Sequence, residues 1–576
     1  MYTLGINAAY HDSAACLVRD GEVLAAAEEE RFTHIKHGKR PVPFSTWELP
    51  FHAIDYCLRE AGIVLSDVDH VAYSFDPWLL LERADEHAAI ALPLQPSAAR
   101  RPQRDSSPWD PLFLSYIVNA PRQLASGAPH HLAARFKGVS AEGPYRWHFI
   151  EHHLAHEASA FLAAPFERCA VLTMDGRGER ATTSYGVFDG REYRRLKQVN
   201  LPDSLGLLYE RVTSHLGFLH SSDEYKVMAL ASYGRPAYAD QFRQIVRHDG
   251  EGGYTVADAN LVDLFGPARE RGGPLERRHY DIARSLQLML EESVLTMADW
   301  LADVSGETKL CMAGGVALNC VMNARVRDRG RFDDVWVQPA AGDAGTALGA
   351  ALWVDFSERD RTRHWQMDHA YLGPAFGDDA IEEFLKWAKL GYRRLDDVAA
   401  ETARMLAENK VIGWFQGRME FGPRALGARS ILASPIQPAM QQRLNQIKDR
   451  EDFRPVAPAV LEERAHEWFV GGRQTLLRAP FMLFVYDVAD GREDQIPAVR
   501  HVDGTARVQT VNRNQNPLYY RLLQEFERLT GVPVLINTSF NTRGEPVVCT
   551  PRDAIESFWT SPLDALVIGS FLLEKA

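Results

Sequence analysis

Residues 2–30, YTLGINAAYHDSAACLVRDGEVLAAAEEE, and residues 169–199, CAVLTMDGRGERATTSYGVFDGREYRRLKQV, decide the fold. Each reads as strand, polar loop, strand, Asp-Gly turn, strand. Asp20-Gly21 and Asp189-Gly190 fall between apolar runs, where a two-residue turn needs positive φ and Asp-Gly adopts it readily. The two units begin about 170 residues apart, which predicts a duplicated α/β core with a cleft between its halves. Loops opposed across such a cleft suit a nucleotide. Hairpins are common, so a coincidental pair is the alternative.

Between the units lies IEHHLAHEASAF, residues 150–161, which reads as the start of a helix. His152 and His156 are four apart and so project from one face, where two imidazoles can grip one cation. The second unit's first strand runs straight into Asp175. Later VWVQPAAGDAGTALGAAL, residues 335–352, leads a strand to Asp343 and a glycine-rich helix start. Two histidines and two strand-end carboxylates suit a hard-to-borderline metal. Taken singly, His152 reads as a helix cap, Asp175 as a turn residue and Asp343 as an N-cap. ETKLCMAGGVALNCVMNARV, residues 307–326, reads strand, turn, helix, with Gly314 and Gly315 letting backbone amides approach a ligand.

The chain has 576 residues, enough for two or more domains. A net charge of −13 argues against a general nucleic-acid or anionic-membrane binder, so an anionic ligand needs a local basic cluster. Six scattered cysteines without a CxxC pair read as reduced thiols, and no apolar stretch is long enough to cross a bilayer. With no leader-like N-terminus, a cytoplasmic protein is expected. Residues 76–145 are rich in proline and arginine and read as an insertion with short helices, its His130-His131 pair solvated. SERDRTRHWQMD, residues 357–368, reads as a domain boundary, dividing the chain into 1–362 and 363–576.

The basic cluster lies at residues 418–454. Arg418, Arg424, Arg429, Arg443, Lys448, Arg450 and Arg454 stand against Glu420, Asp449, Glu451 and Asp452. On an extended segment Lys448 and Arg450 share a face and Asp449 points away. In GVPVLINTSFNTRGEP, residues 531–546, a buried strand ends in polar residues, and Ser539 and Asn541 are likewise spaced by one. Converging, these four suit an anion. Surface salt bridges such as Lys448 with Glu451 are the bland alternative.

KDR with SFN resembles the Lys-x-Arg and Ser-x-Asn signature of YrdC-like domains. HHLAH with Asp175 and Asp343 resembles the metal site of TsaD-like threonylcarbamoyl transferases. Both in one chain, with AEEERFTHIKHG, YKVMALASYG, GGVALN, GPRALGARS and KDREDFRPVAP in order, are similar to the NodU/CmcH O-carbamoyltransferases over nearly the full length. The insertion at 76–145 has no counterpart in that likeness.

The resemblance implies a duplicated actin/hexokinase-like (ASKHA) N-terminal domain and a YrdC-like α/β C-terminal domain. It implies that carbamoyl phosphate and ATP, with Mg, give carbamoyl-AMP, whose carbamoyl group passes to a hydroxyl of a sugar or natural product. Arg424, Lys448, Arg450, Arg454, Arg507, Asn537, Ser539, Asn541 and Arg543 would hold carbamoyl phosphate and nucleotide phosphates. Lys226, Gly314, Gly315 and Asn319 would hold the nucleotide in the N-terminal domain. Lys36 would reach phosphate, and His11 would be the general base, a role an imidazole suits. The resemblance favours iron(II), while two His and two Asp also accept Mn or Zn. A homodimer is one expected assembly. Competing readings are a small-molecule kinase, which needs neither KDR...SFN nor the histidines, and a tRNA-modifying fusion, which the acidic charge disfavours.

Overall fold

The computed structural model describes residues 1–38, 49–80, 110–126, 143–472, 477–542 and 544–575. Arg543, His130, His131 and most of the insertion lie outside the described residues. Within the insertion, Asp110–Val118 and Ala120–Ser126 are helices.

The two hairpin units form the cores of two matching sheets. In the first, β1 (Tyr2–Asn7), β2 (Ala14–Arg19), β3 (Glu22–Glu28), β4 (His70–Tyr73) and β5 (Arg146–Phe149) lie in the order β3-β2-β1-β4-β5. The second holds β6 (Cys169–Met174), β7 (Ala181–Phe188), β8 (Tyr193–Asn200) and the strands Lys309–Ala313 and Asp334–Val337. Its order runs from Asp334–Val337 through Lys309–Ala313 and β6 to β7 and β8. In both sheets the first strand pairs antiparallel with the hairpin and parallel with the later strand. That repeated topology is the duplication expected from the sequence. At the Asp-Gly turn Asp20 and Gly21 both have positive φ, 51° and 88°.

Two helices meet between the sheets. His152–Phe161 and Ala344–Glu358 carry short side chains where they touch, and at Gly349 nothing separates them. A Cβ there would stand 1.8 Å from the Ala155 carbonyl oxygen. One at Gly5 of β1 would stand 1.9 Å from the Ala347 oxygen. Small residues therefore set how near the helix ends come to each other, and both ends carry candidate ligands.

The C-terminal half is built on an eight-stranded mixed sheet. Its central strands are Ile412–Phe415, Arg429–Ala433, Val534–Ser539 and Ala457–Leu461. One buried apolar cluster runs from β6 through Ala344–Glu358 into this sheet. Polar ties cross the same boundary. The Gly422 amide donates to Glu28 Oε1 at 2.9 Å and its carbonyl accepts from Arg31 at 3.0 Å. Arg418 donates to the Leu24 and Leu372 carbonyls, and Arg363 of the connecting segment donates to the carbonyls of Phe161, Ala164 and Phe166. No helix among the described residues is long and apolar enough to cross a membrane.

Candidate active site

His152 is the first residue of its helix, and its amide donates to both oxygens of Glu179 at 2.9 and 3.1 Å. The cap comes from this carboxylate, so the His152 ring is free to do something else. Nδ1 lies 3.2 Å from the Ser74 carbonyl, which turns Nε2 inward. His156 follows one turn later. Asp175 directly follows β6, and Asp343 stands at the N-cap of Ala344–Glu358 without making the capping bond. The cap and turn alternatives therefore do not account for the side chains of His152 and Asp343.

Donor atoms of His152, His156, Asp175 and Asp343 all lie within 4.8 Å of one another, and all four residues are buried. His152 Nε2 is 3.7 Å from Asp175 Oδ2 and 3.6 Å from Asp343 Oδ1; the distances from His156 Nε2 are 4.0 and 3.7 Å. Both Nε2 atoms and Asp343 Oδ1 are buried without a hydrogen-bond partner. Buried polar atoms normally find partners. Three orphans facing one point fit a shared cation, and the donor set of two imidazoles and two carboxylates suits iron, manganese or zinc.

The other oxygen of each carboxylate faces a different neighbour. Asp175 Oδ1 accepts the Gly315 amide at 2.7 Å, and Asp343 Oδ2 lies 3.8 Å from His11 Nε2. Burial would raise the Asp343 carboxyl, but His11 and His152 hold it at about 2. The glycine pair thus differs from its sequence reading. Gly314, at φ 89°, donates to the Ala341 carbonyl and lies against Met174, while the Gly315 amide fixes Asp175. Asn319 caps the helix Cys320–Arg329 and exchanges two hydrogen bonds with Gln287.

His11 sits on the loop after β1, beside this cluster. Its Nδ1 is 2.8 Å from Asp12 Oδ2, and Asp12 Oδ1 is 2.8 Å from His37 Nδ1. Burial would raise Asp12, but His37 and His11 hold it well below the carboxylate range. Being ionised it can only accept, so Nδ1 of His11 donates to it, and Nε2 is the ring nitrogen on the Asp343 side. Neither Asp12 nor His37 was singled out from sequence, although HDS and HIKHG carried the signal.

The second grouping is cationic. Lys448 follows the helix Met440–Ile447, and Asp449 at φ 43° makes a left-handed turn, with the Arg450 amide bonded to the Asn445 carbonyl. The segment is a helix terminus and not extended as the sequence suggested; the turn, not a strand pleat, sets the two side chains. The Lys448 ammonium donates to the Ser539 carbonyl, to Asn541 O at 2.9 Å and to Asn541 Oδ1 at 2.8 Å, with Ser539 Oγ at 3.3 Å. Lys-x-Arg and Ser-x-Asn are therefore brought together. Glu451 turns away to Lys226 at 3.0 Å, which also pairs with Asp223.

Burial, then the charge of Arg507, pulls Arg424 down to about 9; burial, then Arg454, does the same to Arg450. Lys448 falls well below its usual value by burial and the charges of Arg450, Arg454 and Lys36. Lys36, the last of these, belongs to the first sheet's half. Leu318 O accepts from Arg424 at 3.5 Å, and Arg454 lies over the Tyr225 ring at 4.7 Å. Nε of Arg424 and Arg507, Nη2 of Arg450 and Oδ1 of Asn537 are buried without partners. Asn537 Nδ2 is bound to Gln509 and Ala425. Clustered buried cations with unused donors call for an anion.

Three members of the predicted basic run lie elsewhere. Arg429 is fully buried, donates to the Gln416, Gly417, Ala428 and Pro374 carbonyls and stacks on Phe415 at 3.7 Å. Arg443 pairs with Asp564 at 2.7 Å, and Arg418 ties the halves together. Strand and loop hydrogen bonding claims them.

Models of the carbamoyltransferase N-terminus and C-terminus match residues 2–106 with 131–352, and residues 403–575. The chain belongs to the carbamoyltransferase family. It is a transferase. This carbamoyltransferase is 40% identical over 587 residues to Nodulation protein NolNO of Sinorhizobium fredii, covering 99% of this chain and 80% of the relative. Nodulation protein NolO of Bradyrhizobium diazoefficiens is 42% identical over 441 residues, 74% of this chain and 79% of its own. An uncharacterized protein of Synechocystis is 41% identical over 621 residues, covering 100% and 97%. Among solved structures, HypF from T. kodakarensis aligns with a TM-score of 0.32 and 13% identity over 63% of this chain and 48% of that one. ROK hexokinase from Thermus thermophilus aligns at 0.27 and 13%, over 61% and 98%.

Proposed function

We propose that this carbamoyltransferase is an ATP-dependent O-carbamoyltransferase working at two sites. An actin/hexokinase-like N-terminal domain, residues 1–362, would perform transfer, and a YrdC-like domain, residues 363–576, would perform activation. The observation that carries this reading is the buried cationic pocket of Arg424, Lys448, Arg450 and Arg507, in which unpartnered N–H groups of the three arginines match the oxygens of phosphate esters.

In the first step water attacks the phosphorus of carbamoyl phosphate and breaks its P–O bond, releasing inorganic phosphate and carbamate, and a carbamate oxygen then attacks the α-phosphorus of ATP. Carbamoyl-AMP forms and pyrophosphate leaves. Arg424, Arg450, Arg454 and Arg507 balance the phosphate charge, while the Ser539–Asn541 cage keeps the Lys448 ammonium at one point. Asn537 presents a buried carbonyl oxygen suited to the carbamoyl NH2. Free carbamate decomposes in water, so enclosure preserves it.

In the second step the acceptor hydroxyl attacks the carbamoyl carbon and AMP leaves. His11 takes the hydroxyl proton on Nε2, and Asp12 stabilises the imidazolium through Nδ1. His152, His156, Asp175 and Asp343 would hold a divalent cation, iron(II) by family likeness, which supplies positive charge for the departing phosphate. Lys36, whose charge is felt at Lys448, is the phosphate contact between the two places. The acceptor class is a hydroxyl of a sugar or natural product.

Incubation with carbamoyl phosphate and ATP, without acceptor, tests the first step. Pyrophosphate and a carbamoyl adenylate are expected. Formation of ADP instead would favour a kinase and refute the activation scheme.

A further inference from the structure

Among the described residues, two more groupings of imidazole and carboxylate stand outside the central cluster: Asp12 with Glu30 and His37, and His70 with His148 and Glu358. In the first, both Asp12 oxygens hold imidazoles, and Glu30 is taken by the His37 amide and Arg31. The second is built differently. His70 opens β4, His148 lies in the neighbouring β5, and Glu358 ends the helix Ala344–Glu358. The β5 strand is the edge of its sheet.

The parallel register sets His70 beside Arg146 and Ala72 beside His148. Residues two apart share a face, so both imidazoles lie on the Ala72 face. Ala350 and Val354 of the helix cluster with Ala72 there. His70 Nδ1 and His148 Nε2 are 2.9 Å apart, and one donor atom from each of the three residues lies within 4.8 Å of the others. Two nitrogens bound at right angles to one copper or nickel ion, with bonds of about 2.1 Å, stand roughly 3.0 Å apart, and a tetrahedral zinc spreads them to roughly 3.4 Å, half an ångström beyond the separation here. An N–H···N hydrogen bond spans the same distance and is the reading the experiment must exclude.

One feature of the surroundings favours a cation. The helix ends here, so its last carbonyls present negative charge. One group opposes it. Arg146 Nη1 holds both oxygens of Glu358, Oε1 at 3.0 Å and Oε2 at 3.1 Å, from a side chain 67% exposed that can swing into water.

We infer that His70, His148 and Glu358 form a separate site for a borderline divalent transition metal such as zinc, nickel or copper. Two imidazoles and one carboxylate with open positions suit these ions better than magnesium or calcium. The bound ion would pin the sheet edge to the far end of the helix that begins at Asp343. The inference is independent of the carbamoyl chemistry.

Equilibrium dialysis of the whole protein against zinc tests it. Wild type is expected to hold one equivalent more than His148→Gln at micromolar free zinc, with the metal-free melting temperature unchanged. His156→Ala should lose a different equivalent, so that the double variant loses both. Arg146→Gln removes the competing guanidinium and should tighten this site several-fold. Equal zinc content in wild type and His148→Gln overturns the assignment, leaving only a hydrogen-bonded pair. An Arg146→Gln protein that binds no tighter also overturns it. Should His148→Gln lower the metal-free melting temperature, Glu358→Gln at the helix end carries the same comparison.

Discussion

His152 Nε2 stands 3.6 Å from Asp343 Oδ1, beyond hydrogen-bond reach, and neither atom has another hydrogen-bond partner. One comes from the start of a helix in the first part of the chain, the other from the start of a helix nearly two hundred residues later. A gap of that size between a buried nitrogen and a buried oxygen is room for an ion that touches both.

Removing a donor should separate the two reactions. His156→Ala is expected to lower metal content at the central cluster while pyrophosphate formation from ATP and carbamoyl phosphate stays within about twofold. Elemental analysis and a coupled pyrophosphate assay measure the two. Loss of both together would mean that the halves do not divide the chemistry.

Lys448→Ala should reduce pyrophosphate formation about a hundredfold, the effect of losing a charge-assisted contact of roughly 3 kcal/mol. Lys448→Arg should rescue little. The ammonium is wrapped by oxygens of Ser539 and Asn541, a cage sized for a point charge and not for a planar fork. Full activity in the arginine variant would show that charge alone suffices.

The cationic pocket should make the ligand-free protein sensitive to anions and to pH. Arg424 and Arg450 sit at about 9 and Lys448 is also depressed, so the unfolded chain binds more protons than the fold above those values. Stability from this source is lowest at neutral pH and rises as pH climbs from the folded toward the unfolded value. Pyrophosphate at neutral pH should relieve the same repulsion and raise the melting temperature by several degrees. Arg424→Gln should be more stable without ligand and gain less from pyrophosphate, as differential scanning fluorimetry would record.

Gly349→Ala should cost about 3 kcal/mol and loosen the metal cluster, because the new methyl would meet the Ala155 carbonyl oxygen at 1.8 Å. Chemical denaturation gives the first quantity and metal retention the second. A variant with wild-type stability would mean that the helices can part without consequence.

Much of this was legible in the chain. The Asp-Gly turns announced two hairpins, and the sheets built on them have corresponding strand orders. The four-residue spacing of His152 and His156 and the strand-end positions of Asp175 and Asp343 pointed to one cluster because helix and strand periodicity fix direction locally. What depends on tertiary hydrogen bonding was not legible. Nothing in KDR signals a left-handed Asp449, and nothing in AGG shows that the Gly315 amide is spent on Asp175. Arg429 sits in a run of basic residues, yet four carbonyls from the surrounding loops hold it inside the protein. Glu179, which caps the His152 helix, could have been suspected only as the last residue of DGRGE.

The joint at Gly349 has no side chain to lengthen or trim, so the spacing of the two helices cannot drift by small substitutions. The ion-holding geometry at their ends inherits that fixity. A change of preferred metal must come by exchanging a donor outright, in one step, and the cleft walls are left as the part of the molecule that can vary gradually.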